Sequence, residues 1–410
     1  MMTYDKNKEE IFFKSGIYGE NMEQAATNKQ NKEPGEVQPM RVVVSSESSL
    51  GDANGVSNSV RQTLKYLRDN NHEAIVIAPK PSPKEFAGFP VVGTRSIPMQ
   101  GFNLGIPGQR KVPRVIERFQ PDVVHVASPA WTIGRTALSG AQLLDIPSVA
   151  IYQTDIANYS RRFRVNTLTQ FTERWVADIH NRATRNLVPS AASRDDLIRF
   201  GVREDSIHHW GRGVDSERFH PQRKKRSEVE ALRDKFSQHG KQIIVGYVGR
   251  LAVEKSVERL AQLKDTDARL VVVGDGTERK RLESTLPKGT IFMGELRGKK
   301  LADAYAAFDV FVHTGTQETF GQTLQEAMAS GLPVVAPAIG GPLDIVQHEV
   351  TGLLYEPFND DSLVASVEEL LHNKEKRREM GKQGRRVVEQ KTWSKLGDEL
   401  LEHYREAINQ

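Results

Sequence analysis

Short apolar runs alternate with amphipathic stretches from residue 41 onward. Residues 41–44, 72–79, 122–126, 148–152 and 187–190 are rich in Val and Ile and too short for buried helices. They read as strands covered on both faces. Segments of helical character separate them, the first expected over about residues 58–70. The alternation resumes at Ile243-Ile244-Val245, with further strands expected at 269–273, 290–293, 310–313 and 333–337. Such alternation predicts parallel, doubly wound sheets, and the gap between the two series predicts two of them. Residues 1–40 are polar, charged and without period, and read as a disordered tail. Residues 216–240 hold Pro221 and the basic run Arg223-Lys224-Lys225-Arg226, and read as a linker with a solvated hinge face.

One stretch of the second series carries visible chemistry. It runs Gly315-Thr316-Gln317-Glu318-Thr319-Phe320-Gly321-Gln322-Thr323-Leu324-Gln325-Glu326 and follows the apolar Val310-Phe311-Val312-His313. Gln322 to Ser330 are good helix formers, Gly331 fits a C′ stop, and Pro333 prevents the helix from resuming. The loop therefore sits at the carboxyl edge of a parallel sheet, where open α/β sheets bind ligands. Amides from Phe320 to Leu324, Gly321, Gln322 and Thr323 among them, lie at a helix start, a natural place for a phosphate. Glu318 and Glu326 can grip hydroxyls on either side of a diphosphate, one on a sugar and one on a ribose. Alternatively they are two acids that the helix dipole favours.

Composition narrows the classes. At 410 residues the chain is long for one core, and no apolar run approaches a membrane span. The absence of cysteine excludes disulfides, a thiol nucleophile and thiolate metal sites, and suits a cytoplasm. A net charge of +4 fits anionic partners and gives no ground for nucleic acid.

The central loop resembles the nucleotide-sugar loop of retaining glycosyltransferases of the GT-B type, in their large fourth family (group 1). The match continues at Gly246-Tyr247-Val248-Gly249-Arg250-Leu251, at Glu254-Lys255 and at Val273-Gly274-Asp275-Gly276. It covers nearly all of residues 41–405. The resemblance implies two Rossmann-like domains facing across a cleft. Residues 41–215 would form the acceptor side, 241–390 would bind the donor, and a helix in 391–410 would cross back to the first domain. Arg250 and Lys255, beside Gly249, would clasp the donor diphosphate, since fixed cations can stabilise a leaving phosphate. Gly55, in Asn54-Gly55-Val56-Ser57, would bring its amide to a phosphate. No metal is expected. Asp265-Thr266-Asp267 falls at the wrong edge of the sheet and reads as a turn.

The remaining assignments are finer. Tyr152-Gln153-Thr154-Asp155 ends a strand where many relatives carry His-Thr. Asp155 can bind a donor or acceptor hydroxyl, or merely cap a helix. A same-face mechanism, with the leaving phosphate as base, needs no covalent nucleophile. In Gly294-Glu295-Leu296-Arg297-Gly298, Glu295 suits the two donors on guanine's edge, with Leu296 giving backbone contacts. Residues 161–185 interleave six arginines with Phe163, Leu168, Phe171, Trp175, Val176 and Ile179. That reads as an amphipathic basic helix for an anionic membrane, or as an ordinary packed helix, with Arg110, Lys111 and Arg114 extending the patch. The Tyr152–Asp155 and Trp210–Asp215 segments look most like bacterial GDP-mannose-dependent α-mannosyltransferases acting on glycolipids at the cytoplasmic membrane face. A UDP-sugar donor, a same-fold epimerase or phosphorylase, and an idle sugar-binding protein are the alternatives.

Overall fold

The computed structural model describes residues 39–410 apart from Ala53 and residues 100–101, 107, 109, 130 and 155–165. The first half runs β1 (Arg41–Ser46), α1 (Gly55–Asp69), β2 (Glu73–Pro79), β3 (Glu85–Phe86), β4 (Phe89–Met99), β5 (Phe102–Ile106), α2 (Lys111–Phe119), β6 (Val123–Ala127), α3 (Ile133–Leu143), β7 (Ser148–Ile151), α4 (Asn166–His180), β8 (Arg185–Val188), α5 (Ala191–Phe200) and β9 (Ile207–His209). After α6 (Ser227–Phe236) the second half runs β10 (Ile243–Val248), β11 (Ala268–Val273), α7 (Arg279–Thr285), β12 (Ile291–Phe292), α8 (Gly298–Ala307), β13 (Val310–Val312), α9 (Gln322–Ala329), β14 (Val334–Pro337), α10 (Pro342–Ile345), β15 (Gly352–Tyr355), α11 (Asp360–His372), α12 (Lys374–Val388) and α13 (Trp393–Ile408).

Each half is built on one sheet. The first has the order β3-β4-β2-β1-β6-β7-β8-β9, with β5 added to β4. It is parallel except at the two pairings of β3 and β5 with β4. The second, β12-β11-β10-β13-β14-β15, is parallel throughout. The central strands are buried on both faces because β-branched residues such as Val42, Val43 and Val44 pack under helices on either side. Both sheets reverse their winding beside their first strand, between β1 and β6 and between β10 and β13. Those switch points open a crevice at the carboxyl ends of the strands.

The local signals act as their chemistry requires. Asn54 caps α1, its side chain accepting from the Ser57 amide at 2.9 Å. Gly331, at φ 76°, ends α9, with Leu332 N–H donating to Ala327 and Gly331 N–H to Met328. The last helix, α13, packs on the first half. Leu396, Leu400, Leu401 and Tyr404 join the core of Val42, Val44 and Leu64. Tyr404 Oη meets His125 Nδ1 at 2.7 Å, and Trp210 Nε1 donates to the Leu396 carbonyl at 2.9 Å.

Two expectations are corrected. The basic run at 223–226 is a solvated face only in part, since Lys225 is exposed while Arg223 is drawn into the second half. Pro221–Lys225 form a 3-10 turn leading into α6, and Phe219, Val229 and Phe236 are buried with Tyr305 and Phe308. Arg223 pairs with buried Asp303 at 2.7 Å, and Arg233 with Asp309 at 2.8 Å. Residues 161–185 are not one basic helix either. Arg185 belongs to β8, where it is buried and paired with Glu406 of α13 at 2.7 Å. Arg182 is held by Asp178 and by Ser139. Arg161, Arg162, Arg164 and Asp155 lie outside the described residues. No helix among the described residues is long and apolar enough to cross a membrane.

Candidate active site

The loops after β10 and β13 meet at the switch point of the second sheet. The β10 loop carries Arg250 and Lys255, and the β13 loop carries Glu318. Lys255 Nζ stands 2.6 Å from Glu318 Oε2. Thr314 Oγ1 donates to the Lys255 carbonyl at 2.8 Å and ties the two loops together. Burial works against the charge on Glu318, but Lys255, with His313 and Arg250, outweighs it and holds the carboxyl below its usual range. Arg250 is half exposed and pairs with Glu254 at 2.5 Å.

Glycines set these loops. Gly274 adopts φ 138°, and a side chain there would strike the Gly249 carbonyl at 1.9 Å. Gly249 has no room for a side chain either, because Tyr247 Oη would lie 2.7 Å from it. These close approaches explain the Gly249 and Gly274-Asp275-Gly276 signals, and they fix where Arg250 leaves the sheet. Leu251 N–H donates to the Asp275 carbonyl at 2.9 Å in the same crossing.

Gly321 precedes α9 in the left-handed region at φ 113°, and no side chain among the described residues caps that helix. The first-turn amides of Gln322 and Thr323 are thus left for an anion. Phe320 and Leu324 anchor the loop in the core. Gln322 donates to the Gly213 carbonyl at 3.0 Å. Glu326, one turn into α9, accepts from Tyr305 Oη at 3.0 Å. Burial pushes its carboxyl up to about 7, against that hydrogen bond and nearby Arg218.

The other predicted residues take distinct places. Gly55 opens α1, with nothing within 4 Å of where its Cβ would stand. Glu295 is exposed and held by Arg297 at 2.5 Å. Leu296 turns its side chain onto the core. Asp265 ends the 3-10 helix before β11, at the amino end of that strand and away from the crevice.

Several residues of the site escaped the sequence reading. Thr319 Oγ1 donates to the Gln153 carbonyl, and Ser193 Oγ donates to the Thr319 carbonyl, both at 3.3 Å. Arg297 reaches the Gly51 carbonyl at 3.3 Å. Through these bonds the donor-side loops touch the first half directly. Gly341 N–H donates to the Glu318 carbonyl at 2.8 Å, and a Cβ at Gly341 would meet the Phe320 carbonyl at 2.2 Å. The paired glycines after β14 were the available signal for that packing. On the first sheet, buried Glu47 accepts from the Trp131 and Gly134 amides at 3.1 and 2.9 Å, bracing the β1 and β6 loops together.

Two doubly wound domains, with cations and helix amides gathered at a switch point, have the GT-B architecture of nucleotide-sugar glycosyltransferases. Residues 53–218 match the family described as Glycosyltransferase Family 4, and residues 228–387 match Glycosyl transferases group 1. A GDP-mannose-dependent alpha-mannosyltransferase of Corynebacterium glutamicum is 41% identical over 381 residues, covering 91% of this chain and 90% of that protein. Its namesake from Mycolicibacterium smegmatis is 43% identical, covering 89% and 97%. The fold matches Anabaena Alr3699/HepE in complex with UDP-glucose, with a TM-score of 0.75, 20% identity, and coverage of 90% of this chain and 100% of that one. The chain belongs to the family 4, group 1 glycosyltransferases, and it is a glycosyltransferase enzyme.

Proposed function

We propose that the protein transfers mannose, with retention and without a metal, from GDP-mannose to a hydroxyl of a glycolipid or lipid-linked acceptor. The observation that carries this is the Lys255–Glu318 pair, set at 2.6 Å on the switch-point loops beside Arg250 and the open start of α9. The anomeric C–O bond breaks and the electron pair goes to the β-phosphate of GDP. Lys255, Arg250 and the amides of Gln322 and Thr323 stabilise that charge. Glu318 orients the sugar hydroxyls, and Glu326 accepts from the ribose. The acceptor oxygen attacks the face that GDP leaves, and its proton passes to the departing phosphate. Asp155 is assigned a donor or acceptor hydroxyl. Glu295, steadied by Arg297, offers its carboxylate to guanine. The names of the 41–43% identical relatives support GDP-mannose as donor.

Turnover of GDP-mannose, UDP-glucose and ADP-glucose, each with excess chelator, tests this reading. GDP-mannose should be preferred and unaffected by chelation. Preference for a UDP sugar overturns the donor assignment. Loss of turnover restored by magnesium or manganese overturns the metal-free chemistry.

A membrane-facing acceptor side, on the cytoplasmic leaflet, is part of the proposal. Phe171 is 65% exposed on α4 and stacks on Trp175, whose ring lies 4.5 Å beneath the Arg135 guanidinium. Exposed Arg174 stands beside them. An apolar ring among arginines suits an anionic bilayer. Phe171→Ser should weaken cosedimentation with anionic vesicles about tenfold, from the transfer energy of one aromatic side chain. Equal binding of wild type and variant would show that this surface faces only water.

A further inference from the structure

We infer that His313 is a positioning residue, the partner to which Glu318 turns once the donor diphosphate has drawn Lys255 away. The inference rests on the donor-site reading above. In the free protein Lys255 stands 2.6 Å from Glu318 as its close cation among the described residues. Lys255 cannot serve the carboxylate and a diphosphate equally well, because the diphosphate carries more charge and offers more acceptor oxygens. As Lys255 moves, a half-buried carboxylate is left, and an unpartnered buried charge is costly.

His313 stands where that deficit would arise. It follows β13, is 3% exposed in its side chain, and places Nε2 3.8 Å from Glu318 Oε2, just beyond hydrogen-bond reach. Among the described residues neither ring nitrogen completes a hydrogen bond, although the Gly315 peptide lies close by. A buried imidazole without a partner is a cost that folding alone does not explain. Burial holds the ring neutral, so its one N–H can be carried on Nε2 and donated to the carboxylate. The backbone keeps the approach clear. A Cβ at Gly315 would stand 3.3 Å from His313 Nε2 and 3.6 Å from the Lys255 Cα, crowding both movements. Tyr355 Oη donates to the His313 carbonyl at 3.4 Å and fixes the main chain, leaving the ring the freer part. The exchange keeps Glu318 oriented toward the sugar hydroxyls while Lys255 is committed to the phosphate.

The test compares His313→Leu, similar in bulk but without a donor, with His313→Gln, which restores an N–H. A lost hydrogen bond to a charged group predicts a kcat lower by about ten- to a hundredfold for the Leu variant. GDP affinity by calorimetry should fall as well, since the diphosphate alone draws Lys255 from Glu318 and the Leu side chain leaves that carboxylate without a donor. The Gln variant should recover most of the rate. In a Glu318→Gln background the Leu change should add little, the non-additivity expected of partners. Unchanged kcat in the Leu variant, a Gln variant as slow as Leu, or additive losses would each overturn the exchange. Full activity of Glu318→Gln alone would remove the donor-site reading itself, and the exchange with it.

Discussion

Replacing Glu318 by alanine is expected to lower kcat about a hundredfold while leaving GDP binding intact or slightly tighter. The carboxylate is proposed to hold the transferred sugar, so its loss lets the anomeric carbon leave the line between phosphate and acceptor. Loss of positioning at that level costs about a hundredfold, or about 2.7 kcal/mol of transition-state stabilisation. Free GDP carries no hexose and should not sense the loss. Lys255, no longer held at 2.6 Å by a carboxylate, becomes more available to the diphosphate. The variant leaves a partly buried ammonium without its partner and should lose about 1–3 kcal/mol of stability. Rates therefore have to be read well below its melting transition. Calorimetry with GDP and steady-state kinetics with GDP-mannose decide the matter. If GDP binds more weakly to this variant, Glu318 belongs to the nucleotide and not to the sugar.

Glu326→Ala should do the reverse, raising the donor KM at least tenfold with a smaller loss in kcat. A ribose contact is made equally in ground and transition states, so its removal is uniform loss of binding. The same carboxylate should make GDP affinity depend on pH. Burial pushes Glu326 up to about 7, while Tyr305 and Arg218 pull the other way and Asp215 adds to the rise. The ionised form accepts from both ribose hydroxyls, and protonation removes acceptor capacity. Affinity should therefore fall as pH drops from about 8 to about 6, approaching a tenfold loss per unit below the free protein's pKa. Glu326→Gln should remove that component. The difference between the two profiles separates Glu326 from the nucleotide's own phosphate, which titrates with a pKa near 6. Superimposable wild-type and Gln profiles would show that Glu326 does not meet the ribose in its ionised form.

The legible part of the chain was local and periodic. Valine-rich runs such as Val42-Val43-Val44 announce strands buried on two faces, and Gly331 followed by Pro333 announces a helix end. The order of these elements, with Glu318 in a loop and Glu326 inside the helix it opens, made a carboxyl-edge site legible from the chain alone. Spacing along one chain segment survives folding, which is why that reading was possible. Whatever depends on a partner distant in sequence was settled by the fold. Arg185 reads as part of a basic surface until Glu406 pairs with it in β8, and Arg223 reads as solvated until Asp303 claims it. His313 reads as the last residue of a strand, and only the fold sets it 3.8 Å from Glu318 with no hydrogen bond to its ring from the described residues. A charge or a ring acquires its role from what desolvates it and what faces it. Both are fixed by contacts between segments that no local pattern records.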